Sequence, residues 1–143
     1  MRLVILAAAL FSLAGCGGDS DGLVPTKGTV TVDGAPATQT TVAFIPIETT
    51  GGNGGTALTD SSGQFEILTP QGKKGLLPGK YKVTISRRLN PDGSLPDVNV
   101  PPMESSATES LPARFTERDR TELRATVEPG KTHEFAVNSL KKK

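Results

Sequence analysis

The sequence predicts an all-β fold, a sandwich of about seven short strands over residues 24–140. The chain has 16 glycines and 11 prolines but no tryptophan, a composition typical of strands joined by many turns. Several segments alternate apolar and polar residues with a period of two, the pattern of a half-buried strand. No stretch of the chain keeps the periodicity of an amphipathic helix over three turns.

The first strands follow from alternation and turn residues. Residues 29–32 alternate and stop at an Asp-Gly-Ala-Pro turn. Residues 41–47 are rich in β-branched residues and place Val42 and Phe44 on one face. Pro46 indicates that this strand ends there or lies at a sheet edge. A glycine-rich loop follows at residues 51–55.

A hairpin is predicted next. Residues 57–59 and 64–68 flank the turn Asp-Ser-Ser-Gly at residues 60–63. In this turn, the Asp60 side chain is expected to bond to the backbone, and Gly63 to take a positive φ. Phe65 and Ile67 would then point in the same direction.

The strand at residues 80–87 has the clearest alternation. Tyr81, Val83 and Ile85 are predicted to point inward, and the residues between them outward. The stretch 89–113 then forms a long loop with five prolines. A loop of this length is either functional or a disordered insertion, and the sequence leaves both interpretations open.

The last strands, at residues 123–127 and 132–137, contain the only histidine. His133 is in phase with Phe135 and Val137, which favours a structural histidine over a general base or metal ligand. No Gly-x-Ser-x-Gly motif is present, and one histidine with one cysteine cannot complete a zinc site. We therefore predict no catalytic residue, no metal and no cofactor, and a protein that is not an enzyme.

Two other candidate sites are weaker. Residues 19–22, Asp-Ser-Asp-Gly, resemble part of a calcium loop but lack the third ligand and the distal glutamate, so a solvated tether is favoured. An intramolecular amide bond between Lys27 and Asn138 beside Glu66 is also disfavoured. Glu66 alternates with Phe65 and Ile67 and should face solvent, and Lys27 precedes its strand.

The N-terminus carries the most specific signal. Arg2 precedes an uncharged apolar segment at residues 3–13, and the run Leu-Ala-Gly-Cys ends at Cys16, the only cysteine. The segment is shorter than the roughly 20 apolar residues that cross a bilayer. This pattern resembles the lipobox of bacterial lipoprotein precursors. The alternative is ordinary signal cleavage that leaves Cys16 as a free thiol.

The lipobox resemblance implies a domain organisation and a location. Residues 1–15 would be a cleaved signal peptide, Cys16 would carry the acyl chains (palmitate among them), and residues 16–23 would form a flexible tether. In lipobox families, a glycine after the cysteine is typical of lipoproteins sent to an outer membrane. The resemblance thus predicts a cell-envelope protein anchored to that membrane on its periplasmic or surface side.

The charge of the chain bears on its partners. After removal of residues 1–15, 15 basic residues balance 15 acidic ones, which disfavours nucleic acid as a partner. The tail Lys141, Lys142 and Lys143 is the one basic run, predicted to be a solvated C-terminus, with contact to anionic lipid as the alternative.

Three segments together resemble the carboxypeptidase regulatory-like and transthyretin-like domain families. They are residues 28–36 with 42–46, residues 59–65 and residues 77–83. Residues 111–115 and 121–137 resemble the second half of small exported lipoproteins of planctomycete-type bacteria. The resemblance implies a transthyretin-like (prealbumin-like) sandwich.

These observations lead to one functional prediction and one alternative. The predicted protein is a membrane-anchored lipoprotein with a non-catalytic sandwich, whose role in the cell envelope is structural or an interaction with an envelope protein or a glycan. The alternative is a carbohydrate- or peptide-binding module at the cell surface. The absence of tryptophan and the single tyrosine disfavour carbohydrate, since sugars stack on aromatic faces.

Overall fold

The computed structural model describes residues 21–141 of the 143-residue chain. Across that range the backbone forms ten β-strands and one short helix, which confirms the predicted all-β fold. The elements are β1 (Lys27–Val32), β2 (Ala35–Pro36), β3 (Thr41–Pro46), β4 (Gly55–Leu58), β5 (Gln64–Glu66), β6 (Gly79–Ser86), β7 (Arg88–Leu89), β8 (Thr108–Glu109), α1 (Ala113–Thr116), β9 (Arg124–Val127) and β10 (Thr132–Val137). Seven of the strands in residues 21–141 have three or more residues, in agreement with the predicted number.

The strands form two main sheets and a ribbon. In the first sheet, β1 pairs in parallel with β10 on one side and antiparallel with β2 and β5 on the other. The second sheet is antiparallel throughout and has the order β4-β3-β6-β9. The two-residue strands β7 and β8 pair with each other at the base of the long loop.

Inward-facing side chains of both sheets form one core, with Phe44 at its centre. The Phe44 ring lies between 5.4 and 6.2 Å, centroid to centroid, from four other aromatic rings. These rings belong to Phe65, Tyr81, His133 and Phe135. The predicted inward faces of β3, β6 and β10 are therefore confirmed, since each alternates buried and more accessible residues.

The parallel contact between β1 and β10 depends on a glycine. A Cβ atom added to Gly28 would lie only 2.0 Å from the carbonyl oxygen of His133. Any other residue would push the two strands apart at this point. The sequence therefore needs glycine where β1 passes β10, beside the buried Phe65 ring.

The predicted hairpin of residues 57–59 and 64–68 forms only at its ends, where Asp60 donates to Gln64 and Thr56 pairs with Leu68. Its turn forms as expected: the Asp60 carboxylate accepts from the backbone N–H groups of Ser62 and Gln64, each at 2.9 Å, and Gly63 has a φ of 74°. The two strands then separate, because β4 pairs with β3 and β5 pairs with β1. This separation places Phe65 in the first sheet, where its ring reaches the core.

The short helix α1 was not predicted from the sequence. The helix has four residues, too short for any apolar periodicity to appear. The helix packs Phe115 against the core. After the helix, the Thr121 hydroxyl donates to the carbonyl of Val83 at 2.5 Å. Within residues 21–141, no helix has the length and apolar character needed to cross a bilayer.

The chain enters the sandwich at one end and the long loop leaves from the other. Val24 and Leu76 exchange two backbone hydrogen bonds just before β1 and β6 begin. Beyond β10, the N–H of Leu140 donates to the carbonyl of Ser110, and the N–H of Ser110 donates to the carbonyl of Arg87, directly after β6. We call the end where β1 and β6 begin the proximal pole and the opposite end the distal pole.

Replacement of Phe44 by alanine tests the core. Phe44→Ala should lower the free energy of unfolding by about 3–5 kcal/mol, because the buried ring leaves a cavity among four aromatic neighbours. Urea unfolding followed by circular dichroism measures the change. Leu58→Ala, at a side chain that is 57% exposed, is the control and should stay within about 0.5 kcal/mol of the parent. Equal losses in the two variants would contradict the described core.

Candidate functional site

His133 is a core residue. It is 6% exposed, and its ring meets Phe44 edge-on at 5.4 Å and stacks against Phe135 at 6.4 Å. Burial lowers the pKa of His133 below its ordinary value, and the nearby charge of Lys131 lowers it further. The predicted position of His133, in phase with Phe135 and Val137 on one face of the last strand, is confirmed.

The calcium fragment and the lipidation site fall largely outside the described residues. Cys16, residues 1–15, Asp19 and Ser20 all precede residue 21. The carboxylate of Asp21, the remaining acid of the fragment, forms an ion pair with Lys73. Residues 21–141 contain no group of three or more His, Cys, Asp or Glu side chains placed to hold a metal ion.

The three residues considered for an amide bond do not meet. Lys27 pairs with Thr132 at the start of the parallel ladder, and Asn138 follows Val137 at its other end. Six residues of extended chain separate the two positions, a distance of about 20 Å. Glu66 lies between two lysines instead, with its carboxylate 3.8 Å from the Lys27 amine and 3.2 Å from the Lys74 amine.

The loop predicted at residues 89–113 is attached to β6 through Glu109. The Glu109 carboxylate accepts from the Ser86 hydroxyl at 2.5 Å and from the backbone N–H groups of Arg87, Ser110 and Leu111, each at 3.0 Å. Ala107 and Leu111 on either side of it are buried. The C-terminal end of the loop is thus part of the folded domain, and residues 90–106 extend from a closed base.

Two clefts join along the free side of β4. The distal cleft, of about 300 Å³, lies between the outer face of the second sheet and residues 96–107 of the loop. The second, of about 540 Å³, runs from β4 toward the proximal pole. Both are lined by Thr41 and Leu58, so they form one continuous depression, which we call the β4 groove.

Most of the exposed large apolar side chains in residues 21–141 line the β4 groove. Leu58 is 57% exposed, Val98 69% and Val100 39%, and all three line the distal cleft. Leu68, also exposed, lines the proximal cleft. Met103, from the loop that contains Val98 and Val100, is almost fully exposed. Such a concentration on an otherwise polar surface is typical of an interaction site.

On the outer side of β4, Leu58 lies between two backbone pairs of the chain, Thr56 with Leu68 and Asp60 with Gln64. Thr56 exchanges two hydrogen bonds with Leu68 on the outer side of β4, at 2.9 and 3.0 Å. In a strand, the N–H and C=O groups of residues i and i+2 point to the same side, so those of Leu58 also point outward. The next residue across would be Glu66, but it pairs with Lys27 in the other sheet. Within residues 21–141, no backbone group bonds to Leu58 on that side.

The loop above the distal cleft is acidic. Asp92, Asp97 and Glu104 lie in it, and residues 89–113 contain no lysine or arginine. Arg88 lines the cleft, and its guanidinium donates to the carbonyl of Ala107. The distal end of the β4 groove therefore combines exposed apolar surface with the opposite charges of Arg88 and Asp97.

Two further clefts lie at the poles. A cleft of about 260 Å³ at the proximal pole is lined by the glycine-rich loop, Leu77 and Tyr81, and the Asp21–Lys73 ion pair lies at its wall. A cleft of about 470 Å³ at the distal pole is lined by Asn90, Glu109 and Leu140.

No family model, curated protein or solved structure matches this chain. The lipobox, carboxypeptidase regulatory-like and transthyretin-like resemblances therefore stay predictions. The β4 groove was missed in the sequence because its residues come from three distant segments. The one local signal was the loop at residues 89–113, whose prolines and one-signed charge were open to a functional interpretation.

Removal of the Glu109 carboxylate tests the loop base. Glu109→Ala should lower the free energy of unfolding by about 1–3 kcal/mol, because three N–H groups and a hydroxyl lose a charged acceptor. It should also speed amide hydrogen exchange at Arg87 and Ser110, as measured by NMR. Glu104→Ala, at an exposed acid of the same loop, should change stability by less than about 0.5 kcal/mol. Unaltered exchange in Glu109→Ala would refute the described attachment.

The buried histidine predicts a pH dependence of stability. Its folded pKa lies below the ordinary 6.5, so near that pH the unfolded chain binds a proton that the folded chain does not. Stability should therefore fall as the pH drops below about 6.5, by at most about 1.4 kcal/mol per pH unit for this group. Urea unfolding at about pH 7.5 and 5.5 measures the slope. His133→Gln should flatten it, and an equal slope in this variant would show that another group is responsible.

Proposed function

We propose that this protein is a membrane-anchored lipoprotein of the cell envelope whose sandwich is a non-catalytic interaction module. The anchor would be the acylated Cys16, and the module would bind an envelope protein through the β4 groove. The observation that carries the proposal is the concentration of exposed apolar side chains along the β4 groove.

The position of the groove relative to the N-terminus supports the proposal. Cys16 is five residues before Asp21, which limits their separation to about 18 Å. Asp21 pairs with Lys73 at the proximal pole, so an anchored domain would have this pole next to the membrane. The eight residues of β6 extend about 26 Å toward the distal pole. The acidic loop would therefore face away from the lipid, accessible to a partner.

The arrangement of aromatic residues favours a protein partner over a glycan. Tyr81 is 1% exposed, and its hydroxyl donates to the carbonyl of Leu77 at 2.8 Å. Phe44 and Phe65 are buried beside it. No exposed aromatic face is present in residues 21–141 on which a sugar ring would stack. The exposed side chains of the β4 groove are aliphatic, as suits contact with peptide side chains.

Replacement of Cys16 by serine tests the anchor. Cys16→Ser expressed in a bacterial host should lose labelling by radioactive palmitate and move from the membrane fraction to the soluble fraction. Each acyl CH₂ group that leaves the bilayer costs about 0.8 kcal/mol, so a chain without acyl groups should not stay bound. Ser20→Ala, near the same site, should keep both label and location. A Cys16→Ser protein that remains in the membrane fraction would contradict the lipoprotein proposal.

A further inference from the structure

We infer that the β4 groove is a self-complementary surface through which two copies of this chain pair side by side on the membrane. The inference rests on the proposed function and names the partner: the envelope protein that the groove binds is a second copy of the same lipoprotein. Three observations select this occupant. They are the exposed apolar side chains, the opposite charges in the distal cleft, and the position of the groove on the side of the domain.

The first observation is the apolar surface that one copy leaves in water. Met103 is 99% exposed, so it makes almost no contact within the described chain, and Val98 and Leu58 are more than half exposed. The loop that carries Met103 and Val98 is held at its base by the Glu109 contacts. Two copies placed groove to groove would cover these side chains with one another. Flexible methionine and aliphatic side chains suit the core of such an interface.

The second observation is the pair of opposite charges in the distal cleft. Arg88 and Asp97 both line it and are exposed, and within residues 21–141 neither forms an ion pair. In a two-fold pair each contact occurs twice, so Arg88 of one copy would face Asp97 of the other at two places. A wholly basic or wholly acidic partner would satisfy one charge and oppose the other. Glu104 does not line the cleft and would stay in water at the rim.

The third observation is the direction of the groove. It runs along the side of the second sheet, from the loop near the distal pole to Leu68 and Gly72 on the proximal side. A two-fold axis along the membrane normal would bring this side of each copy together and keep both proximal poles at the lipid. Such a pair is closed, so it does not grow into a filament. Because both copies are confined to one membrane, their effective concentration is high and a modest contact suffices.

Photo-crosslinking in the membrane tests the inference. Met103 is replaced by a photo-crosslinking residue in the full-length protein, and two versions with different C-terminal peptide tags are expressed together in a bacterial host. Illumination should give a product of twice the monomer mass that carries both tags. The same residue in place of Asp119, an exposed position outside the groove, is the control and should give at least about ten-fold less of this product.

Charge reversal tests the facing pair of Arg88 and Asp97. Arg88→Asp alone and Asp97→Arg alone each place like charges at both contacts, so each should lower the yield of the two-tag product at least about five-fold. Co-expression of the two variants, one with each tag, makes every arginine face an aspartate and should restore the yield to within about two-fold of the parent. If Arg88→Asp does not fold without its bond to Ala107, Asp97→Arg should still lower the yield and Asp119→Arg should not.

Three results would overturn the inference, and they separate its failure from that of the proposed function. Equal two-tag yields from positions 103 and 119, or a yield that charge reversal leaves unchanged, would show that the copies do not pair through the groove. A product from position 103 that joins the chain only to a different protein would keep the interaction module and give the groove another partner. No product of any kind from position 103 would contradict the binding role of the groove itself.

Discussion

The transfer of the chain from one sheet to the other between Thr59 and Gln64 determines the rest of this structure. The Thr59 hydroxyl accepts from the N–H of Thr40 at 2.9 Å and donates to the carbonyl of Ala37. These two bonds hold the end of β4 beside the start of β3. After the turn, β5 bonds to β1 instead of β4. Only this course brings Phe65 and Ile67 into the core from the first sheet, where both are buried.

The same transfer creates the candidate site. A sandwich normally protects its edge strands, because unpaired backbone groups attract other strands. Here the bridge between Thr56 and Leu68 closes one end of the β4 edge, and the bond from the Asp60 N–H to the Gln64 carbonyl closes the other. Leu58 lies between these two backbone pairs. The gap is therefore a single residue pair long, which protects the β4 edge against strand addition.

The sequence predicted which residues face the core better than it predicted which strands pair. Alternation alone identified the buried faces of β3, β6 and β10, since burial repeats every second residue in any strand. The turn at residues 60–63 has the same local geometry whether its strands pair with each other or diverge. Its sequence therefore indicated a hairpin, and the outcome depended on nonlocal contacts with β1. The parallel pairing of β1 with β10 is nonlocal for the same reason.

The candidate site was harder to predict than the fold. Leu58 lies in a segment that was correctly assigned to a strand. The exposure of its side chain depends on the absence of a neighbouring segment, which no local sequence pattern indicates. Val98 and Val100 lie in a loop whose position over the second sheet depends on the Glu109 contacts at its base. The N-terminal lipobox pattern is different, because it is read by processing enzymes as a linear sequence. It precedes residue 21 and stays a prediction from sequence.

The central claim is that the sheet transfer leaves the outward N–H and C=O of Leu58 without a backbone partner in residues 21–141, and amide hydrogen exchange measures this directly. In the intact protein, NMR exchange rates should show a protected amide at Thr56, whose N–H donates to Leu68 at 2.9 Å. The Leu58 amide, two residues along the same edge, should exchange at least about a hundred-fold faster, because it has no acceptor within the described domain. Equal protection of the two amides would show that the edge is already occupied and would contradict this account of the protein.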